Sequence, residues 1–192
     1  RRELFVDRLL IDSLRGVEMR LHEPRDDGTV LRFDEPWEGI HCGYSTVIRD
    51  GERFRLYYRG MPADVVDGTA GEVTCVAESS DGLRWTKPKL GLVEVRRTKE
   101  NNVVLAGDPP FSHNFSPFLD TRPDCPSDQR YKALAGISKS GLVAFVSADG
   151  LHWRKLRDPA VIPEKAPFKF AWMFDSQNVA FWSEAEKKYI CY

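Results

Sequence analysis

The run Val73-Thr74-Cys75-Val76-Ala77-Glu78-Ser79-Ser80-Asp81-Gly82-Leu83-Arg84-Trp85-Thr86 decides the fold. β-Prone residues lead into an Asp-Gly turn and a Trp follows three positions after the Gly, so the segment reads as a hairpin whose second arm carries a large ring. The same order returns in Leu142-Val143-Ala144-Phe145-Val146-Ser147-Ala148-Asp149-Gly150-Leu151-His152-Trp153. These D-G-L-x-W elements start at Asp81 and Asp149, 68 residues apart. Before the first, Thr46-Val47-Ile48 turns through Asp50-Gly51 into Phe54-Arg55-Leu56-Tyr57-Tyr58. Before the second lie Ser116-Pro117-Phe118-Leu119 and Tyr131-Lys132-Ala133-Leu134. Each set completes a four-stranded antiparallel meander, with Leu83-Arg84-Trp85-Thr86 as the fourth strand of the first. A third copy begins at Asn178-Val179-Ala180-Phe181-Trp182, turns over Ser183-Glu184-Ala185-Glu186 and continues into Tyr189-Ile190-Cys191-Tyr192.

Repeated four-stranded meanders are the sequence pattern of an all-β propeller, where each small sheet buries its faces against its neighbours. Asp and Gly make the tight turn, and the Trp ring packs between adjacent sheets. Residues 36–107 then form blade 1, 108–165 blade 2 and 166–192 the start of blade 3. Residues 1–35 read as short N-terminal strands that close the ring, from Glu3-Leu4-Phe5-Val6-Asp7, Leu9-Leu10-Ile11-Asp12 and Val17-Glu18-Met19-Arg20-Leu21, with a turn at Arg25-Asp26-Asp27-Gly28. About two and a half blades are present, so the expected partner is the remaining C-terminal blades of the same protein. A β-sandwich interaction module is the alternative; the repeated Trp favours the propeller.

Charge narrows the ligand. Lys and Arg (28) nearly cancel Asp and Glu (29), so no net field draws the chain to nucleic acid or to an anionic membrane. Aromatic residues make up 11% of the chain, with five Trp, a composition suited to stacking on an uncharged ring-shaped ligand. The four cysteines contain no C-x-x-C pair, so neither a zinc knuckle nor a redox motif is indicated, and no metal or other cofactor is expected. Cys75 and Cys191 sit in apolar alternation and read as small buried hydrophobes. The chain opens at Arg1-Arg2 without Met, which leaves the compartment open, with a secreted or periplasmic location favoured.

In a propeller the innermost strand of each blade lines the channel, and the residues leading into it point to one mouth. The first lead-in, Pro36 to Ser45, holds Trp37, Glu38 and His41; the second, Phe111 to Phe115, holds His113 and Asn114; the third, Ala171 to Asn178, holds Trp172, Asp175, Gln177 and Asn178. Carboxylates, amides and imidazoles beside Trp rings are the groups a sugar site uses. His22 and His152 lie outside these lead-ins, and Asp81 and Asp149 read as turn residues.

At Ser45-Thr46-Val47-Ile48-Arg49-Asp50-Gly51, at Phe54 to Tyr58 and at the D-G-x-x-W turns, the chain resembles the five-bladed propellers of glycoside hydrolase families 32, 43, 62, 68 and 130. The resemblance covers residues 40 to 192. It implies a five-bladed ring of about 340 residues. It also implies three carboxylates, one at the start of each of the first three inner strands: a base or nucleophile, a modulator and a general acid. Those positions here are at or beside Gly43, at Asn114 and at Asp175, so two of the three depart from the pattern. The expectation is a carbohydrate-active enzyme acting on an oligosaccharide or polysaccharide, with Asp175 as acid, Glu38 as base or nucleophile, and Trp37, His41, His113, Asn114, Trp172, Gln177 and Asn178 binding substrate. A non-catalytic glycan-binding propeller is the rival reading.

Overall fold

The computed structural model describes residues 6–39, 41–164 and 173–192. The fold is all-β: two four-stranded antiparallel sheets and a two-stranded hairpin, the blades of a partial propeller. The first sheet is β1 (Gly43–Asp50), β2 (Arg53–Gly60), β3 (Val73–Ser79) and β4 (Val103–Ala106) in that order. The second is β5 (Ser116–Leu119), β6 (Tyr131–Ala135), β7 (Val143–Ser147) and β8 (Arg154–Lys155), and the hairpin is β9 (Ala180–Ser183) with β10 (Lys188–Cys191). The first strands of successive blades run beside one another, β1 next to β5 and β5 next to β9.

Both faces of each sheet are covered, which is why β3 is buried along nearly its whole length. On β2, Tyr57 and Tyr58 point to opposite faces. Tyr57 packs toward blade 2 with Ile48, Val76, Val104 and Tyr131, while Tyr58 packs with Trp37, Val73, Cys75 and Val103. On β6, Ala133 and Ala135 join Phe111, Phe115 and Phe145, whereas Leu134 turns to Leu142 and Ala180 of the third unit.

Three expectations change. Residues 6–34 contain no strand, and Val6, Leu9, Leu10, Val17 and Leu21 are exposed. A strand needs a partner edge, and no described residue offers one there. The Arg25–Gly28 turn does form, with the Gly28 N–H donating to Asp26 at 2.7 Å. From Leu31 the chain instead lies over blade 1, where Phe33 packs on Tyr58 with ring centroids 4.6 Å apart. Second, the fourth strand of blade 1 is Val103–Ala106. Leu83 to Thr86 is spent in the turn, and only Thr86 bridges β3, exchanging both backbone hydrogen bonds with Glu78. Third, Cys75 is buried, but Cys191 is exposed on β10.

Candidate functional site

In an antiparallel sheet the start of β1, the end of β2 and the start of β3 lie at one end. Tyr44, Arg59 and Glu72 are therefore neighbours, although they are far apart in sequence. The lead-ins to β5 and β9 bring His113 and Asp175 to the same place. His113 Nδ1 lies 2.9 Å from Arg59 Nη1 and 3.2 Å from Glu72 Oε1, and its Nε2 lies 3.4 Å from Asp175 Oδ1. One imidazole thus joins all three units. Glu72 and His113 are buried, while the Asp175 side chain keeps 44% of its exposure and faces solvent.

The backbone is shaped for this meeting. A register shift between Gly43 and Thr46 bulges β1, and Tyr44 sits at φ +50, a conformation that non-glycine residues seldom adopt. The Tyr44 ring meets His113 edge-on at 5.7 Å, and the Arg59 guanidinium lies over it at 4.9 Å. Phe174, next to Asp175, has φ +64. Strained residues on both sides of one cluster are typical of working sites.

Glu72, His113 and Asp67 offer three convergent ligand atoms, a set that can hold a cation. Arg59 Nη1 occupies that position, 2.9 Å from Asp67, 3.2 Å from Glu72 and 2.9 Å from His113 Nδ1. A guanidinium supplies the positive charge these groups require. The Glu72 carboxylate also raises the pKa of His113 above the usual imidazole range, against burial and the Arg59 charge, which lower it.

A cleft of about 590 Å³ runs between the inner strands, lined by Ser45, Thr46, Arg49, Thr121 and Gln177 and by apolar side chains that include Val47, Phe118, Leu119 and Val179. Gln177 spans it, donating to Ser45 O at 3.2 Å and to Thr46 Oγ1 at 2.5 Å.

The other expected site residues divide. Glu38 is fully buried in blade 1. It accepts from Tyr58 Oη at 2.5 Å, Lys87 Nζ at 2.8 Å and the Glu35 N–H at 2.9 Å. A carboxylate so enclosed fastens the lead-in to the sheet, which departs from its expected role as base or nucleophile. Trp37 is also interior, donating to Asn102 Oδ1 at 2.8 Å, so its ring is no sugar platform. Asn114 is fully buried, giving its amide to the carbonyls of Gly136, Phe174 and Ser176 and accepting from the Gly136 N–H. It locks the third lead-in onto blade 2, and Asn178 braces the same turn through Phe174 O and Ser176 O. His41 is exposed. Trp172 lies outside the described residues.

Arg59, Asp67 and Glu72 lie outside the inner-strand lead-ins, and Tyr44, inside the first of them, was not among the expected site residues. The missing signal was topological: Gly71-Glu72 leads into β3, which starts at the same end of the sheet as β1.

No family model and no curated protein matches the chain. Two solved structures are similar in fold. One is a glycosyl hydrolase from Bacteroides ovatus, at 16% identity and a TM-score of 0.47 over 78% of this chain. The other comes from work on the GH130 family of mannoside phosphorylases, containing glycoside hydrolases that target β-1,2-mannosidic linkages in Candida mannan, at 14% identity and a TM-score of 0.47, again over 78% of this chain. The chain matches 40% of the length of each.

Proposed function

We propose that the chain carries part of the active site of a five-bladed, glycoside hydrolase-like propeller that cleaves glycosidic bonds at the mouth of its channel. The observation that supports this best is the meeting of His113 and Asp175 across two blades, with Thr46 and Gln177 in the cleft between the inner strands. Asp175 is the reacting carboxylate: it is half-exposed at the mouth, and His113 is its hydrogen-bond partner. Glycoside cleavage needs a second carboxyl group. Asp67, exposed and 3.7 Å from His113 Nδ1, fits that role better than the enclosed Glu38. Gln177 and the hydroxyls of Ser45 and Thr46 bind the sugar.

A second reading, a glycan-binding propeller without turnover, draws support from Asn114, which puts a neutral, fully committed amide where the resembled families carry a carboxylate. Hydrolysis of a panel of aryl glycosides by the full-length protein, with glycan binding measured in parallel, separates the two. Turnover that disappears in Asp175→Ala while binding persists supports the enzyme. Binding without turnover supports the second reading, and the absence of both contradicts each.

A further inference from the structure

Two groups of opposite charge meet one ring nitrogen of His113. Glu72 Oε1 lies 3.2 Å from Nδ1 and Arg59 Nη1 lies 2.9 Å from it, while Nε2 looks at Asp175. An imidazole nitrogen donates when it carries a proton and accepts when it does not. In the neutral ring, Nδ1 accepts from Arg59 and the proton stays on Nε2. In the charged ring, Nδ1–H donates to Glu72, and Nε2 again carries a proton. Either way an N–H faces Asp175.

We propose that Glu72 and Arg59 form a two-way clamp on Nδ1 of His113, which keeps Nε2–H directed at Asp175 in both protonation states and makes Glu72 a positioning residue of the site. The functional meaning of the clamp rests on the reading of Asp175 as the reacting carboxylate; the clamp itself does not. Both arms are enclosed, with side-chain exposures of 1% for Glu72 and 12% for Arg59. Glu72 Oε2 is buried and has no hydrogen-bond partner among the described residues, so the carboxylate acts through Oε1. Around the ring stand Arg59, Asp67, Glu72, Asp175 and the edge-on Tyr44. The positive charge of Arg59 opposes ring protonation and the carboxylates favour it, with Glu72 the largest contributor.

Long-range proton–nitrogen NMR of the imidazoles in the full chain tests this without turnover. Four histidines give few signals, and the one lost in His113→Gln is assigned. The unaltered chain should show His113 titrating above about 6.5 and, beyond that midpoint, in the Nε2–H tautomer. Glu72→Gln should lower the midpoint by about one unit with the tautomer kept, because Arg59 remains. Arg59→Gln should mix the tautomers without lowering the midpoint. An Nδ1–H tautomer in the unaltered chain overturns the clamp, as does an unmoved midpoint in a folded Glu72→Gln variant. If Glu72→Gln fails to fold, Glu72→Asp keeps the charge and should lower the midpoint by less than a unit; the tautomer of the unaltered chain needs no variant at all. The expected NMR behaviour in a protein that turns over no glycoside supports the clamp and contradicts the proposed function.

Discussion

In the first Asp-Gly-Leu-x-Trp turn, Asp81 Oδ1 accepts the N–H groups of Leu83 and Arg84 at 2.8 and 2.7 Å, and Trp85 Nε1 donates to Gly82 O at 3.0 Å. In the second, Asp149 Oδ1 accepts those of Leu151 and His152 at 2.8 and 2.9 Å, and Trp153 Nε1 donates to Gly150 O at 3.0 Å. Ser79 and Ser147 stand in the same relation to each turn. The surroundings differ. Gly82 has open space around it and Leu83 is 45% exposed, whereas Gly150 is buried against Tyr57 and Arg55 of blade 1, and Leu151 joins the core between the blades. The local code builds a turn, and the neighbouring blade decides whether that turn also serves as a joint.

The largest expected contrast follows from the glycines. Both have positive φ, +76 at Gly82 and +75 at Gly150, so Ala costs about 1–2 kcal/mol at either. At Gly150 the new methyl would also lie 2.5 Å from Tyr57 Oη and 2.6 Å from Arg55 Nη1. Overpacking adds about 1–3 kcal/mol there. Urea unfolding of the two variants should show Gly150→Ala clearly the less stable, and equal losses would break the comparison.

Next comes Arg55→Met, which keeps the stem but removes the group that bonds Glu78 at 2.9 Å and the Asp149 carbonyl. A loss of about 2 kcal/mol is expected, since Glu78 is left half-buried and short of a partner. Tyr57→Phe deletes one hydrogen bond, to Gly150 O at 2.9 Å, and should cost about 1 kcal/mol in the same assay.

The smallest effect concerns acid. Burial raises the Asp149 carboxyl, but the backbone N–H of His152, the His152 ring and the backbone N–H of Leu151 outweigh it and hold the group well below the usual carboxylate range. A depressed carboxyl contributes stability that is present above its unfolded value of about 3.9 and is lost as pH falls toward its folded one. Asp149→Asn should therefore flatten the decline of unfolding stability below pH 4, without changing its form near neutrality.

The repeated hairpins and their turns were legible because turn chemistry is local: Asp81, Gly82 and Trp85 satisfy one another within five residues. The fourth strand of blade 1 was not, and of the two Trp rings only Trp153 packs between blades as expected, while Trp85 packs within blade 1. The strands expected around Leu9 and Val17 do not form, because those apolar runs carry strand propensity but meet no partner edge among the described residues, and residues 3–5 lie outside the described residues. The site was half legible. His113 and Asp175, expected from their place before inner strands, lie together, yet Glu38 and Asn114 share that place and are buried. Lead-in residues divide between holding the sheet and facing the channel according to contacts made far along the chain, such as Lys87 with Glu38 and Gly136 with Asn114. Glu72 escaped notice because its role depends on which end of the sheet β3 begins.

Glycoside turnover by the full-length protein, compared between Asp175→Asn and Glu38→Gln, tests the central claim most directly. Asp175→Asn should lower kcat/KM by at least about 100-fold with the fold intact. Glu38→Gln should leave kcat/KM within a few-fold and reduce thermal stability instead. Undiminished turnover in Asp175→Asn, with activity abolished in a folded Glu38→Gln variant, would contradict the account.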